Sequence, residues 1–128
     1  MSEQATIVGI GVVGIPVTDQ DRALGFYVDK LGFEKRVDAP MPGSGGRWIM
    51  VAPRPSQVAI ALVAAHEGVP AGVETGVRFL TGDAEALRDT MAAKGVDVGP
   101  LLRWPGVPPM FAFHDQDGNG LEIIETPR

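Results

Sequence analysis

Cysteine is absent from the 128 residues. No disulfide can form, and none is needed: a chain this long hides roughly two thirds of its unfolded surface on folding. The lack of thiols fits a reducing compartment, and the cytoplasm is the expected location. Long apolar runs are missing too. Ile7 to Val17 comes nearest, is interrupted by Gly9, Gly11 and Gly14, and is too short to span a bilayer. The N-terminus lacks the basic, apolar, small-residue order of a secretion signal. Basic residues are scarce, 11 Lys and Arg against 16 Asp and Glu, for a net charge of −5 and no basic block. Little material remains for a nucleic-acid face. Neither nucleic acid nor membrane is expected as a partner.

The remaining composition is that of a globular protein, with 45% hydrophobic and 21% charged residues. Its order suggests two similar halves. Ile7 to Val17 reads as a strand, and Thr18 or Asp19 can cap the helix that follows. Leu24, Tyr27, Val28 and Leu31 stand at helical spacing, and Gly32 supplies a stop. Phe33 to Ala39 reads as a strand and Pro40 to Gly46 as a loop. Arg47 to Ala52 and Val58 to Val63 read as a hairpin. The order then recurs. Val77 to Thr81 is a strand, Asp83 a cap, and Ala84, Leu87, Arg88 and Met91 trace a helix ended by Gly95. Val96 to Arg103 is a strand, Pro105 to Pro109 a loop, and Met110 to His114 and Leu121 to Glu125 are the last strands. The expectation is a single α+β domain over residues 1–128. It consists of two βαβββ modules, about residues 5–65 and 73–126, with helices outside. One helix covers only one face of a sheet, so the curved mixed sheets are expected to face each other around a central cleft. Such a cleft is a natural ligand site.

Two runs of residues carry a family resemblance. Ile15-Pro16-Val17-Thr18-Asp19, then Ala23, Phe26-Tyr27 and Leu31-Gly32-Phe33, resembles the opening of the vicinal-oxygen-chelate superfamily. Phe113-His114-Asp115-Gln116-Asp117-Gly118-Asn119, then Leu121-Glu122-Ile123, resembles its end, with Gln116 where the family often has proline. The resemblance covers nearly the whole chain. That superfamily includes glyoxalase I, fosfomycin-resistance transferases, extradiol dioxygenases and bleomycin-binding proteins, so it implies a fold more than an activity. Its metalloenzymes hold a divalent cation with four side chains. The resemblance places those positions at Val12, Ala61, Gly76 (Thr75 if the strand slips by one) and Glu122. Three of the four carry no donor, whereas a divalent site normally needs about three. No metal and no cofactor are expected. The resemblance also implies a homodimer.

Strand alternation then assigns the cleft wall. Val12, Gly14, Pro16, Ala59, Ala61, Val63, Gly76, Arg78, Glu122 and Ile124 fall on one set of positions. The wall is small and apolar, with one cation and one anion. Arg78 and Glu122 either pair structurally or contact a polar ligand, Arg78 as a fork for a carboxylate or phosphate and Glu122 as a general base. Trp48 with Met50, and Phe111 with Phe113, form matched pairs that are either core or a stacking surface for a flat ligand. Trp104 is placed as a lid or interface residue. His66 reads as a solvated loop residue. His114 either bonds Asp115 or Asp117 or points into the cleft.

Two functional readings follow. One is metal-independent binding of a small aromatic or amphipathic molecule, such as an antibiotic or metabolite, by Val12, Trp48, Met50, Ala61, Gly76, Arg78, Trp104, Phe111, Phe113 and Glu122. The other is a lyase- or isomerase-type enzyme using Glu122 as base, helped by Arg78 or His114, with or without a divalent metal. A third, structural reading makes the chain a dimerising domain.

Overall fold

The structure, a computed structural model, describes residues 5–43 and 46–127. Part of the expected Pro40 to Gly46 loop, residues 44 and 45, lies outside them. The strands are β1 (Val12–Val17), β2 (Glu34–Pro40), β3 (Arg47–Ala52), β4 (Ala59–Ala64), β5 (Glu74–Thr81), β6 (Asp97–Val98), β7 (Leu102–Trp104), β8 (Val107–His114) and β9 (Gly120–Glu125). Helix α1 (Gln20–Leu24) continues as a π-helix over Gly25–Lys30, and α2 spans Ala84–Ala93. The first sheet runs β1-β4-β3-β2 and the second β5-β9-β8-β6, with β7 added on β8. In each, the first and last strands of the module are parallel and the other pairs antiparallel. The chain is therefore two βαβββ modules with mixed sheets, each with its helix on the outside.

Local chemistry explains the helix boundaries. Asp19 accepts from the Arg22 N–H at 3.1 Å and Asp83 from the Ala86 N–H at 3.0 Å, so each helix begins with a carboxylate on its free donors. Gly32 and Gly95 follow the helices with φ of 78° and 83°, a conformation that costs glycine nothing.

Several expected boundaries need correction. Strand β1 begins at Val12, not Ile7, because Gly11 accepts the last bond from β4, given by the Ala59 N–H. The first helix widens after Leu24, with the Leu31 N–H bonding the Phe26 carbonyl. Fewer degrees per residue then keep neighbours on one side. Phe26 and Tyr27 are both buried, while Leu24, Val28 and Leu31 are only partly so. The single strand expected over Val96 to Arg103 is split into β6 and β7 around Gly99-Pro100, where proline has no N–H for a ladder. The expected Pro105 to Pro109 loop shrinks to a turn at Pro105-Gly106, with Trp104 paired to Val107.

One cluster forms the core of both modules. Ile15, Val17, Ile49, Ile60 and Leu62 enter it from the first sheet, and Phe111, Phe113, Leu121 and Ile123 from the second. Phe111 and Phe113 are therefore core residues and not a ligand wall, which corrects that expectation. Their neighbours Met110 and Ala112 take the opposite face. The expected equivalence of Trp48 with Phe111 slips by one residue, because Ile49 is the buried member of its pair. A one-residue slip reverses the face.

The turn after β8 ties the modules together. Buried Asn119 donates to the Pro16 carbonyl at 2.8 Å and to Asp115 at 2.9 Å, and its carbonyl accepts from the Gly72 and Val73 N–H groups. The Tyr27 hydroxyl donates to Asp115 at 2.7 Å, and the Thr18 N–H donates to Asp117 at 3.0 Å. Burial, followed by the negative charge of Asp115, pushes the Tyr27 pKa well above its ordinary value. The folded state thus keeps this proton after the unfolded chain has lost it. The associated stability is complete below about pH 10 and falls by about 1.4 kcal/mol per pH unit above it. Urea unfolding from pH 9 to 11 should show this slope, and Tyr27→Phe should flatten it. An unchanged slope in the variant would assign the effect to other groups.

Candidate functional site

Each sheet leaves open the face its helix does not cover. On the first, β1 and β4 lie in register with Val12 beside Ala59 and Gly14 beside Ala61, and Met50 of β3 pairs with Ala61. Ala59 and Ala61 are themselves buried, at 1% and 2%, so the exposed part of this face is Val12, Gly14 and Trp48. Trp48 and Met50, two residues apart on β3, stand on one face of the strand. Trp48 is 37% exposed and Val12 40%, so both present apolar surface to solvent.

On the second sheet, Arg78 pairs with Glu122, and Glu122 with Ala112. Arg78 Nη2 lies 3.3 Å from Glu122 Oε1, with both side chains partly exposed. The two residues the sequence singled out do meet, as an ion pair. A pair this exposed contributes about 0–1 kcal/mol, so its consequence is where it puts charge, not how much it stabilises. Gly76, with φ of 73°, sits in a bulge between Glu74 and Arg78. Thr75 holds the bulge: its hydroxyl donates to the Gly120 carbonyl at 2.7 Å and accepts from the Val77 N–H. Across from it, the Glu74 carboxylate covers Gly120 in the space a Cβ would need. Glu74 is thus a second acid on this face. Sequence reasoning missed it because only the β5–β9 register brings the two positions together.

His114 does not join Arg78 and Glu122. Its Nδ1 is 3.2 Å from Asp97 Oδ2 on the neighbouring strand, not on Asp115 or Asp117, whose carboxylates are committed to the inter-module turn. The three residues considered for catalysis are therefore not assembled. His66 is exposed and its Nδ1 accepts from the Gly68 N–H. Trp104 is about half exposed at the end of the β7–β8 hairpin.

The donor set does not fit a divalent cation. Val12, Ala61 and Gly76 carry no ligand atom, the Thr75 hydroxyl is committed, and Glu122 is paired with Arg78. Among the described residues no three of His, Asp and Glu cluster closely enough to hold one.

A groove of about 630 Å³ opens where the modules meet. Val13, Val58 and Ile60 line it from the first module, and Gly76, Arg78 and Leu80 from the second. It takes two of the expected site residues. None of Val58, Pro53 and Pro55 carried a site signal, since Val58 read as the start of a strand and the two prolines as an ordinary turn.

Comparison with known proteins agrees with this architecture. Residues 9–123 match the family model of the Glyoxalase/Bleomycin resistance protein/Dioxygenase superfamily. YurT of Bacillus subtilis (strain 168), itself uncharacterized, is 30% identical over 126 residues, covering 91% of this chain and 98% of YurT. Among solved structures, TnmS3, an antibiotic binding protein from Streptomyces sp. CB03234, is 29% identical. It superposes with a TM-score of 0.84, covering 97% of this chain and 100% of TnmS3. A superfamily member from Sphaerobacter thermophilus DSM 20745 is 32% identical with a TM-score of 0.84, covering 94% of this chain and 98% of its own. The fold supports a small-molecule pocket of the kind typical of this superfamily. No helix among the described residues is long and apolar enough to cross a membrane.

Proposed function

The chain belongs to the Glyoxalase/Bleomycin resistance protein/Dioxygenase superfamily, and from that premise we propose that it binds a small aromatic or amphipathic molecule without a metal. The role is that of a cytoplasmic resistance or metabolite-binding protein. The observation that carries this reading is the apolar groove of about 630 Å³ where the modules meet, with Val12 and Trp48 exposed on the first sheet and no donor at Val12 or Ala61. An apolar groove admits a planar ring, an exposed indole offers a stacking face, and apolar contact supplies most of the affinity. Arg78 and Glu122 add one polar contact point. TnmS3, which binds an antibiotic, is similar over its full length. Catalysis by Glu122 is less favoured, because Arg78 holds its carboxylate and His114 is engaged with Asp97.

The protein works as a homodimer in this reading. Within one chain, no hydrogen bond, ion pair or ring contact among the described residues joins the Trp48 face to the Arg78 face. A second copy would bring one against the other and cover both.

Tryptophan fluorescence titration with planar aromatic antibiotics tests the binding. Quenching should persist in Trp104→Phe, while Trp48→Phe should weaken affinity by about tenfold, measured by calorimetry. A chelator should change nothing. Silence across a broad panel would remove the reading, and affinity abolished by the chelator would remove its metal-free part.

A further inference from the structure

A second pocket, of about 260 Å³, opens where the ends of the two helices meet. Leu31 and Phe33 line it from the first module, and Phe79, Met91 and Ile123 from the second. Phe33 and Met91 are buried and Phe79 is half-buried, with the two rings edge to face at 5.2 Å. The floor is therefore apolar and partly aromatic. The charge at the rim is of one sign: Lys30, Arg54 and Lys94 line the pocket, and no acid does. That rim runs against a composition in which acids outnumber bases by 16 to 11. All three cationic residues are exposed, so charge stands at the mouth with apolar surface below it.

Repetition of the module brings the lysines together. Lys30 is in the last turn of the first helix and Lys94 caps the end of α2, each within two residues of the glycine that follows its helix. Lys30 reaches across the seam, its Nζ 4.0 Å from the point a Cβ on Gly95 would occupy. Arg54 comes from the turn between β3 and β4 and belongs to neither helix. Lys35, Arg36, Arg47, Arg78 and Arg103 each hold a carboxylate. Lys30, Arg54 and Lys94 form no ion pair among the described residues. Lysines at a helix C-terminus offset its partial charge, about −0.5 at each end, so two ends answer roughly one of these positive charges. The remainder of the rim has no counterion within the chain.

We propose that this pocket binds a small amphipathic carboxylate, with its ring or short alkyl body on Phe33, Phe79 and Met91 and its carboxylate among Lys30, Arg54 and Lys94. Apolar burial supplies most of the affinity, and charge-assisted hydrogen bonds fix the orientation. Pockets for drug-sized ligands run from roughly 300 to 1,000 Å³, so this one suits a single ring. Inorganic phosphate would leave the floor bare. The site goes beyond the groove reading. Pro53, Phe79 and Leu80 line both spaces, but the charged group of the groove is Arg78 and the rim here is a different set.

Titration of the full chain with phenylacetate and with hexanoate, followed by amide NMR and calorimetry, tests the proposal. Saturable binding of either acid should shift the amides of Lys30, Gly32 and Gly95 and leave that of Trp48 unmoved. Lys30→Gln/Lys94→Gln should weaken binding by about tenfold or more, and so should exchange of phenylacetate for neutral phenylacetamide. Arg54→Gln, outside both helices, should weaken it in the same direction and replaces the double variant if thermal melting shows the helix ends disturbed. Arg78→Gln should leave affinity unchanged, which separates this pocket from the groove. No saturable binding of either acid, equal affinity for the amide, or shifts confined to Gly76 and Arg78 would overturn the proposal. Undiminished affinity in the folded lysine or arginine variants would overturn it as well.

Discussion

Phe113→Ala should lower the unfolding free energy by about 3–5 kcal/mol, the usual cost of truncating a buried phenylalanine. The side chain is fully buried in the shared core and stacks on Phe79 with ring centroids 6.4 Å apart. Phe79 in turn meets Phe33 of the first module edge to face at 5.2 Å. The cavity left behind would lie between the modules, where the second sheet cannot move inward without disturbing Tyr27 and the turn that Tyr27 bonds. For a domain of this size the melting temperature should fall by about 10–20 °C. Ligand affinity, measured where the variant is still folded, should stay near wild type, because Phe113 points away from the open face. A variant of near-normal stability that has lost aromatic binding would return Phe113 to the ligand wall and reverse the face assignment of β8.

Asn119→Ala should have a comparable effect through polar chemistry. The side chain is completely buried and uses all of its local bonding capacity. Removing it strips acceptors from the Gly72 and Val73 N–H groups and donors from the Pro16 carbonyl and Asp115. Each lost bond costs about 1 kcal/mol and the one to a carboxylate more, so about 3–5 kcal/mol is expected. The partners lie in the first module, the linking segment and the second module, so cooperativity should suffer as well. Each module has one tryptophan, Trp48 in the first and Trp104 in the second. Single-tryptophan variants carrying Asn119→Ala should unfold at different urea concentrations, whereas the parents unfold together. Coincident transitions with a loss below about 1 kcal/mol would show that the core alone couples the modules.

Helix caps and stops were legible because they are local. Asp19, Asp83, Gly32 and Gly95 act on backbone groups within a few residues, and each does what its type and spacing imply. The meeting of Arg78 with Glu122 was also legible, since alternation places both on one face and the parallel first and last strands of a module lie side by side. Faces were harder. Trp48 and Phe111 looked equivalent in a low-identity repeat, and a shift of one position put Phe111 in the core. His114 was expected either on Asp115 or Asp117 or in the cleft, yet Asp97, remote in sequence, holds it through the β6–β8 pairing.

Caps, periodicity and the two motif runs determined by themselves that this chain would make two βαβββ modules, and residue type determined that three of the four metal positions implied by the resemblance would lack donors. Those properties depend on residue type and on spacing along the chain. Tertiary structure alone decided that Glu74 lies on Gly120, that β5 stays an open edge, that a groove forms beside it and that Ile7 and Val8 are left bare. Each of these depends on which distant segments become neighbours. That choice is made by the whole core closing at once, so no local pattern carries it.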